Sequence, residues 1–412
     1  MKRPLTKLLA PLKVWTLLAA ILLAGVSSGE AAGRKPLFPA IEALQPRVDF
    51  WIQIYSRYTR QQVVFHDADD PHVVYQLVDL EGRQDPEGIE SFLEPIRERY
   101  MEVLEKVAAG AAVIPGEKPD RIRALFGPDV SSERLLRAAE NVRFQRGQAD
   151  AFIAGLVRRS VYEEYLRRIF KAEGLPYDLT YLPHVESSFQ LGALSRSGAA
   201  GIWQFTRSTG QQFLRITRDV DQRWDPIEST RAAARLLKRN YRSLKTWPLA
   251  ITAYNHGVYG MRRAVRRTGT TRLDRIIQVY KGRSFGFASK NFYAEFLAAR
   301  EVAGNPERYF GNLPRWPTLQ YEELLVDREV PLESLLSAVD LSICDLTHYN
   351  PALRRPVLEG LRPVPRRTRL KLPPGIVPPG STLASLIDDA LASSPQGAVF
   401  GVQGGPQARG HR

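Results

Sequence analysis

Glu173-Gly-Leu-Pro-Tyr-Asp-Leu-Thr-Tyr-Leu-Pro-His-Val-Glu186-Ser-Ser-Phe-Gln190, and then Ser195-Arg-Ser-Gly-Ala-Ala-Gly-Ile-Trp-Gln204-Phe205, is the stretch from which the fold is read. It sets one carboxylate, Glu186, among Leu182, Val185, Phe189, Trp203 and Phe205. A carboxyl group packed against apolar side chains loses hydration of its charged form. Its pKa then rises and it can hold a proton near neutrality, as a general acid must when it protonates a poor leaving group. The alternative for an arbitrary Glu is an exposed position on a helix surface. Pro176 and Asp178 open the helix that leads to Glu186, with Asp178 near its positive end. Pro183 deletes a backbone donor, so this helix is expected to kink just before Glu186 and aim the acid into a groove.

Downstream, Asp225-Pro-Ile-Glu228 has the form of a capping box with Pro at the first helical position. Ile227, Ala233, Leu236, Leu237 and Tyr241 then form the buried face of that helix. Asp225 and Glu228 are thereby explained structurally, and neither is read as a second catalytic carboxylate. Leu249 to His256 is a further apolar helix, stopped by Gly257.

Three blocks occur in order within this helix-rich segment: Glu186-Ser187-Ser188-Phe189, the Gly-Ala-Ala-Gly-Ile-Trp-Gln of Gly198 to Gln204, and Ala253-Tyr254-Asn255-His256-Gly257. Together they resemble the signature blocks of the family-23 lytic transglycosylases, most closely the membrane-bound lytic murein transglycosylase D type. The resemblance implies a mainly α, lysozyme-like catalytic domain of the goose type that acts on peptidoglycan glycan strands without cofactor or metal. Ordinary glycosidases use two carboxylates, whereas the resembled family uses one. By that resemblance Glu186 protonates the oxygen between N-acetylmuramic acid and N-acetylglucosamine. The ionised carboxylate then takes the proton of the muramic C6 hydroxyl, which closes a 1,6-anhydro ring on C1 without water.

The same resemblance gives roles to the neighbours. Ser187 would bond sugar or orient the carboxylate, and Gln204 would bind sugar near the cleavage point. Tyr254 and Asn255 match the third block, with Asn255 expected to bond near Glu186. Trp203 stands where many relatives have Met and is read as a core residue. One departure concerns a late block in which relatives carry a tyrosine. Here Ser289-Lys-Asn-Phe292-Tyr293-Ala puts Phe292 in that register, and Tyr293, one step on, is the candidate replacement. Two other classes fit the same residues: a catalytically silent peptidoglycan-binding scaffold, and a lysozyme- or chitinase-like hydrolase.

The rest of the chain frames this segment. Lys2, Arg3, Lys7 and Lys13 precede an apolar run, Val14 to Val26, and small residues follow, the pattern of a secretory signal. The run is shorter than the roughly 20 residues that span a bilayer. An uncleaved amino-terminal anchor is the alternative to cleavage near Ala31 or Ala32. The sole cysteine, Cys344, is far from the signal, so no lipoprotein anchor is expected, and Cys344 is read as a small buried residue. The formal charge is +14; removing residues 1–32 takes away four basic residues and Glu30, leaving +11. For an exported protein such a charge points to polyanionic wall material or an anionic membrane surface rather than nucleic acid, a merely solvated basic surface being the alternative. A periplasmic location follows.

Five segments are expected: a signal (1–32), a helical N-terminal extension with a small β-hairpin (33–150), the catalytic domain (151–313), a β-α-α-β unit (314–373) and a Pro/Gly-rich, largely disordered tail (374–412). In the extension, Phe38 to Arg60 reads as a helix, and Gln62–His66 with Val73–Val78 as the hairpin. Pro86 to Val113 and Ser131 to Phe170 read as amphipathic helix, with Gly110 to Asp129 as the loop between them. His66, Asp67, Asp69, Asp70 and His72 suggest a metal cluster, but a solvated turn accounts for them better. The β-α-α-β unit is similar to a degenerate LysM wall-binding module, with a simple packing appendage as the alternative. One short helix, Ser381 to Leu391, is expected in the tail.

Overall fold

The computed structural model describes residues 36–378 and 380–393. The expected signal segment and the tail beyond Ser393 lie outside the described residues. The fold is mainly helical, as expected, with two small antiparallel sheets. No described helix is long and apolar enough to cross a membrane.

Pro46 starts helix α1 (Gln45–Ser56), whose Val48, Phe50, Trp51, Ile54 and Tyr55 are all buried. Strands β1 (Gln62–Asp67) and β2 (Val74–Asp79) form the expected hairpin, with a bulge at Phe65/His66. Helix α2 (Pro86–Ala108) is capped by the Asp85 side chain. Two expectations fail here. The loop expected over Gly110 to Asp129 contains helix α3 (Pro119–Phe126), with Ile122 fully buried. The continuous helix expected from Ser131 to Phe170 is broken. It consists of α4 (Ser132–Glu140), strand β3 (Val142–Arg146) and α5 (Ala149–Ala172). β3 pairs along β1, matching Phe65 with Phe144, so a sheet edge claims residues whose local pattern reads as helix.

The acidic turn holds itself together and is solvated only in part: His66 and Asp67 are buried, Asp69 and Asp70 half-buried, and His72 exposed. Asp67, fully buried, accepts from the backbone N–H groups of Asp69 (2.7 Å) and Asp70 (2.8 Å), and its other oxygen pairs with Arg134 at 2.9 Å. Arg47 of α1 bonds Asp69 and reaches Asn291 at 2.9 Å.

The central segment follows α5 with a 3-10 turn (Tyr177–Tyr181), α6 (Leu182–Ser187) and α7 (Arg207–Gly210). Then come α8 (Pro226–Leu244), α9 (Trp247–His256), α10 (Val258–Thr268), α11 (Leu273–Val279), α12 (Phe287–Gly304) and α13 (Pro306–Phe310). Asp225 caps α8 as expected, accepting from Ile227 and Glu228 N–H. Helix α12 organises the core. Its Ala294, Ala298, Ala299 and Val302 pack with Val48, Trp51, Ile54 and Tyr55 of α1 and with Phe152 of α5. Small side chains on α12 let the two helices approach closely. From Ala40 onward the chain is one compact unit; α1 and Val64 of β1 share the core of the catalytic helices, whereas most of the rest of the small sheet and α2 to α4 pack around a cluster of their own.

The C-terminal region has the β-α-α-β order read from sequence, with a further short helix. β4 (Glu322–Leu325) pairs antiparallel with β5 (Arg369–Leu372), and between them lie α14 (Leu332–Val339), α15 (Ile343–Tyr349) and α16 (Arg355–Leu358). Helix α17 (Leu383–Ser393) packs on α14. Cys344 is exposed rather than buried, because Leu346 is the buried residue of the short α15. The unit is clasped to the central helices: Asp221 N–H donates to Ala352 (2.8 Å) and Arg354 N–H to Asp219 (2.9 Å). Buried Lys371 of β5 also forms an ion pair with the capping residue Asp225.

Candidate active site

Two consecutive arginines of α5 set the position of Glu186. Arg158 donates to the carbonyls of Ser188 (2.7 Å) and Phe189 (3.1 Å). Arg159 bonds Thr180 Oγ1 (3.1 Å) and the Tyr177 hydroxyl (2.8 Å). Helix α6 is therefore clamped on both flanks. Pro183 lies in its first turn, where no backbone donor is needed, so the expected kink appears as a change from 3-10 to α winding at Leu182. The helix ends because Ser188 (φ 49°) and Phe189 (φ 56°) are left-handed. A bulky residue in that region costs about 1–3 kcal/mol, and such strain persists only when the surroundings enforce it. Here Arg158 and the complete burial of the Phe189 ring do so. Gly155 of α5 is required at this contact, since a Cβ there would stand 2.7 Å from the Ser188 oxygen.

Glu186 keeps some surface exposure, yet protein surrounds its carboxyl group. Among the described residues that carboxyl has no hydrogen-bond or ion-pair partner. Burial without a compensating donor pushes its pKa up to about 8. Beneath it, His184 is fully buried, its ring stacked on Phe152 at 4.6 Å, and burial holds its pKa well below the usual value. It is a neutral packing residue.

Ser187 ties α6 to the glycine-rich block, its hydroxyl donating to the Ile202 carbonyl at 2.9 Å. Gly201 has φ 75°, and a Cβ on it would lie 1.9 Å from the Arg223 carbonyl, so the block and the following loop touch backbone to backbone. Buried Arg223, paired with Asp221 at 2.7 Å, donates to the carbonyls of Gly198 and Phe205 and fixes both ends of the block. Gln204, itself at φ 47°, closes the turn by donating from Nε2 to Gly201 (2.9 Å) and Ala193 (3.2 Å). Trp203 is a core residue, bonded to Thr230 at 2.8 Å and stacked on Phe170. The Tyr254 hydroxyl donates to the Trp203 carbonyl at 2.9 Å, and its ring lies parallel to Phe292. Burial, with a smaller effect of the Glu186 charge, raises the Tyr254 pKa, so this hydroxyl is near the acid.

Glu186, Ser187, Gln204 and Tyr254 are thus brought onto one connected framework. Two expected residues stand differently. Asn255 is exposed, and its Oδ1 accepts from Ser289 Oγ at 2.8 Å; among the described residues it makes no bond to Glu186. Tyr293 is fully buried against Phe296, while Phe292 occupies the face toward Tyr254. Consecutive helix positions diverge by about a quarter turn or more, so a one-residue offset turns the phenol from the site face into the core.

Sequence reasoning missed a second carboxylate. Glu295 of α12 is half-buried, and burial, reinforced by the Glu186 charge, raises its pKa to about 8. The signal was available: Phe292-Tyr-Ala-Glu295-Phe-Leu-Ala-Ala places one charge inside an apolar helical run. Arg158, Arg159 and Arg223 were also missed, because their work is done through backbone carbonyls distant in sequence.

Known proteins match this part of the chain. Residues 167–277 match the family model described as the transglycosylase SLT domain. The chain is 31% identical over 167 residues to "Membrane-bound lytic murein transglycosylase D" of Escherichia coli K12, covering 38% of this chain and 35% of that protein. It is 33% identical over 110 residues to "Putative tributyltin chloride resistance protein" of Alteromonas sp. strain M-1, covering 26% of this chain and 53% of that protein. The match spans about a third of the length of the first of these relatives. Residues 167–277 include all of the framework described above except α12, the N-terminal part of α5 and α1. The chain therefore carries a transglycosylase SLT domain, as its family-23 signature blocks implied.

Proposed function

We propose that this chain is a peptidoglycan lytic transglycosylase. It cleaves the β-1,4 bond between N-acetylmuramic acid and N-acetylglucosamine and leaves a 1,6-anhydromuramoyl end. The observation that carries the reading is the state of Glu186: a carboxyl group without a partner among the described residues, with a pKa near 8, fixed beside the glycine-rich block. At neutral pH it is protonated and can donate to the glycosidic oxygen. Once ionised it is a strong base for its surroundings and takes the C6 hydroxyl proton, so the attack on C1 stays within one sugar and gains the rate advantage of proximity.

The neighbours follow from their bonds. Gln204 uses its amide nitrogen on the loop, which leaves the amide oxygen to accept from a sugar hydroxyl. Ser187 holds α6 against the block, and Tyr254 borders the acid. Asn255 acts at the rim through Ser289. The protein works in the periplasm as an exported enzyme, its basic surface facing anionic wall or membrane material. The β-α-α-β unit serves as a LysM-like contact to the wall.

Digestion of purified sacculi followed by mass spectrometry tests the reaction. Anhydro ends, one water lighter than reducing ends, are expected. One observation favours a second reading, a hydrolase: Glu295 could act on water as the second carboxylate. Reducing ends in that digest would establish the hydrolase and remove the transglycosylase.

A further inference from the structure

Glu186 and Glu295 come from different helices that pack together over one apolar floor, which puts the two carboxyl groups within electrostatic reach of each other. Val185, next to Glu186, packs in the same cluster as Ala294, Ala298 and Ala299, which flank Glu295 on α12. Helices α6 and α12 are in contact, and Tyr55 of α1 lies buried within electrostatic reach of both carboxyl groups. Phe292, one turn before Glu295, stacks on Tyr254, the other hydroxyl close to Glu186. No cation serves this pair among the described residues. Charged groups on α12 and its neighbouring elements pair with one another: Arg300 with Asp178 at 2.6 Å, Arg308 with Glu301 at 3.2 Å. Tyr55, Tyr254 and Glu186 are the titratable groups that α1, α9 and α6 turn toward it.

Two neighbouring carboxyl groups without a cation cannot both ionise cheaply, so the first proton lost keeps the second in place. Glu186 ionises during the reaction, by giving its proton to the leaving oxygen. We propose that Glu295 is a positioning residue for Glu186: a carboxylic acid that stays protonated throughout and donates a hydrogen bond, directly or through one water, to the Glu186 carboxylate while it carries charge. The inference rests on the acid role of Glu186. Protons balance, because Glu186 loses one to the glycosidic oxygen and regains one from the attacking hydroxyl, while Glu295 only donates a hydrogen bond. The direction of the electrostatic effect agrees, since the Glu186 charge raises the pKa of Glu295 further. A carboxylic acid kept neutral by its apolar site is a known device for stabilising a neighbouring anion.

The test compares Glu295→Gln and Glu295→Leu in the full chain, with melting temperature as the folding control. Gln keeps a neutral donor; Leu fits the apolar surroundings without one. For Gln, kcat on soluble glycan fragments is expected within about threefold of wild type. For Leu it should fall about 10–100-fold with KM little changed, as for loss of one preorganised donor. A carbon-13 titration of labelled glutamate carboxyls, assigned with Glu186→Gln, should place Glu186 near its wild-type value in the Gln variant and about one unit higher in the Leu variant. Wild-type kcat and titration in the Leu variant would overturn the proposal. So would a Gln variant as slow as Leu, or a Glu186 pKa lowered in both, since Glu295 would then work ionised. If the wild-type protein cleaves no glycan, the reading of its function fails, while the titration still decides whether Glu295 stabilises the Glu186 carboxylate.

Discussion

Glu186 combines some exposure to solvent with a carboxyl group that protein surrounds and that has no partner among the described residues. Replacing it by Gln keeps the shape but removes the proton. Cleavage of purified peptidoglycan should fall by at least ~10²–10⁴-fold with the circular dichroism spectrum unchanged. A Glu186→Gln protein with wild-type turnover would move the acid elsewhere. The raised pKa values also predict two pH effects. Because the acid must be protonated, the rate should decline as pH rises through about 8. Folded Glu186 and Glu295 bind protons up to about pH 8, whereas their ordinary value is 4.5, so the folded state holds more protons between these limits. Stability must then fall as pH rises from about 4.5 to about 8. Thermal melts across that range should show a smaller decline in Glu186→Gln or Glu295→Gln than in wild type. An equal decline in all three would mean that these carboxyls titrate normally.

At the scale of elements, the glycine-rich block depends on backbone contacts that tolerate no side chain. Gly201→Ala places a Cβ 1.9 Å from the Arg223 oxygen at a φ of 75°. A loss of about 2 kcal/mol or more in denaturant unfolding is expected, together with loss of cleavage as the block shifts from α6. An Ala variant of wild-type stability would show that the loop after Phe205 yields easily. Gln204→Ala removes the two bonds that close the turn and the amide oxygen offered to sugar. Its turnover should drop on the order of 10–10³-fold, less than for the acid. A fully active Gln204→Ala protein would take this residue out of the site. The strained pair Ser188–Phe189 belongs to the same scale, because Arg158 and Gly155 of α5 hold it in place.

For the whole molecule, the C-terminal unit is joined to the central helices by strand-like backbone bonds at Asp219–Asp221 and by the buried Lys371–Asp225 pair. The same short loop carries Arg223, which grips the glycine-rich block, so the unit and the block share one support. Lys371→Met leaves the Asp225 carboxylate buried without its cation. Breaking such a pair typically costs about 3–5 kcal/mol, and urea unfolding should register a loss of that order. A variant as stable as wild type would mean that the two N–H donors at the start of α8 satisfy Asp225 alone.

Where local chemistry decides, the sequence was sufficient. The Asp225 cap, the Gly257 stop and the hairpin each depend on neighbours close in sequence. Five things depended on tertiary structure because their partners are far along the chain. Val142–Arg146 became a strand because β1 offered it an unpaired edge, and the turn at Asp67 became buried because Arg134 came to cover it. Tyr293 left the site because α12 turned Phe292 toward Tyr254, and Asn255 joined Ser289 instead of the acid. Glu295 came within electrostatic reach of Glu186 only through the packing of α12 on α6 and α1, more than a hundred residues away in sequence. Spacing along the chain fixes which residues share a helix face; it cannot say which faces meet, since that is settled by burying the most apolar surface at once.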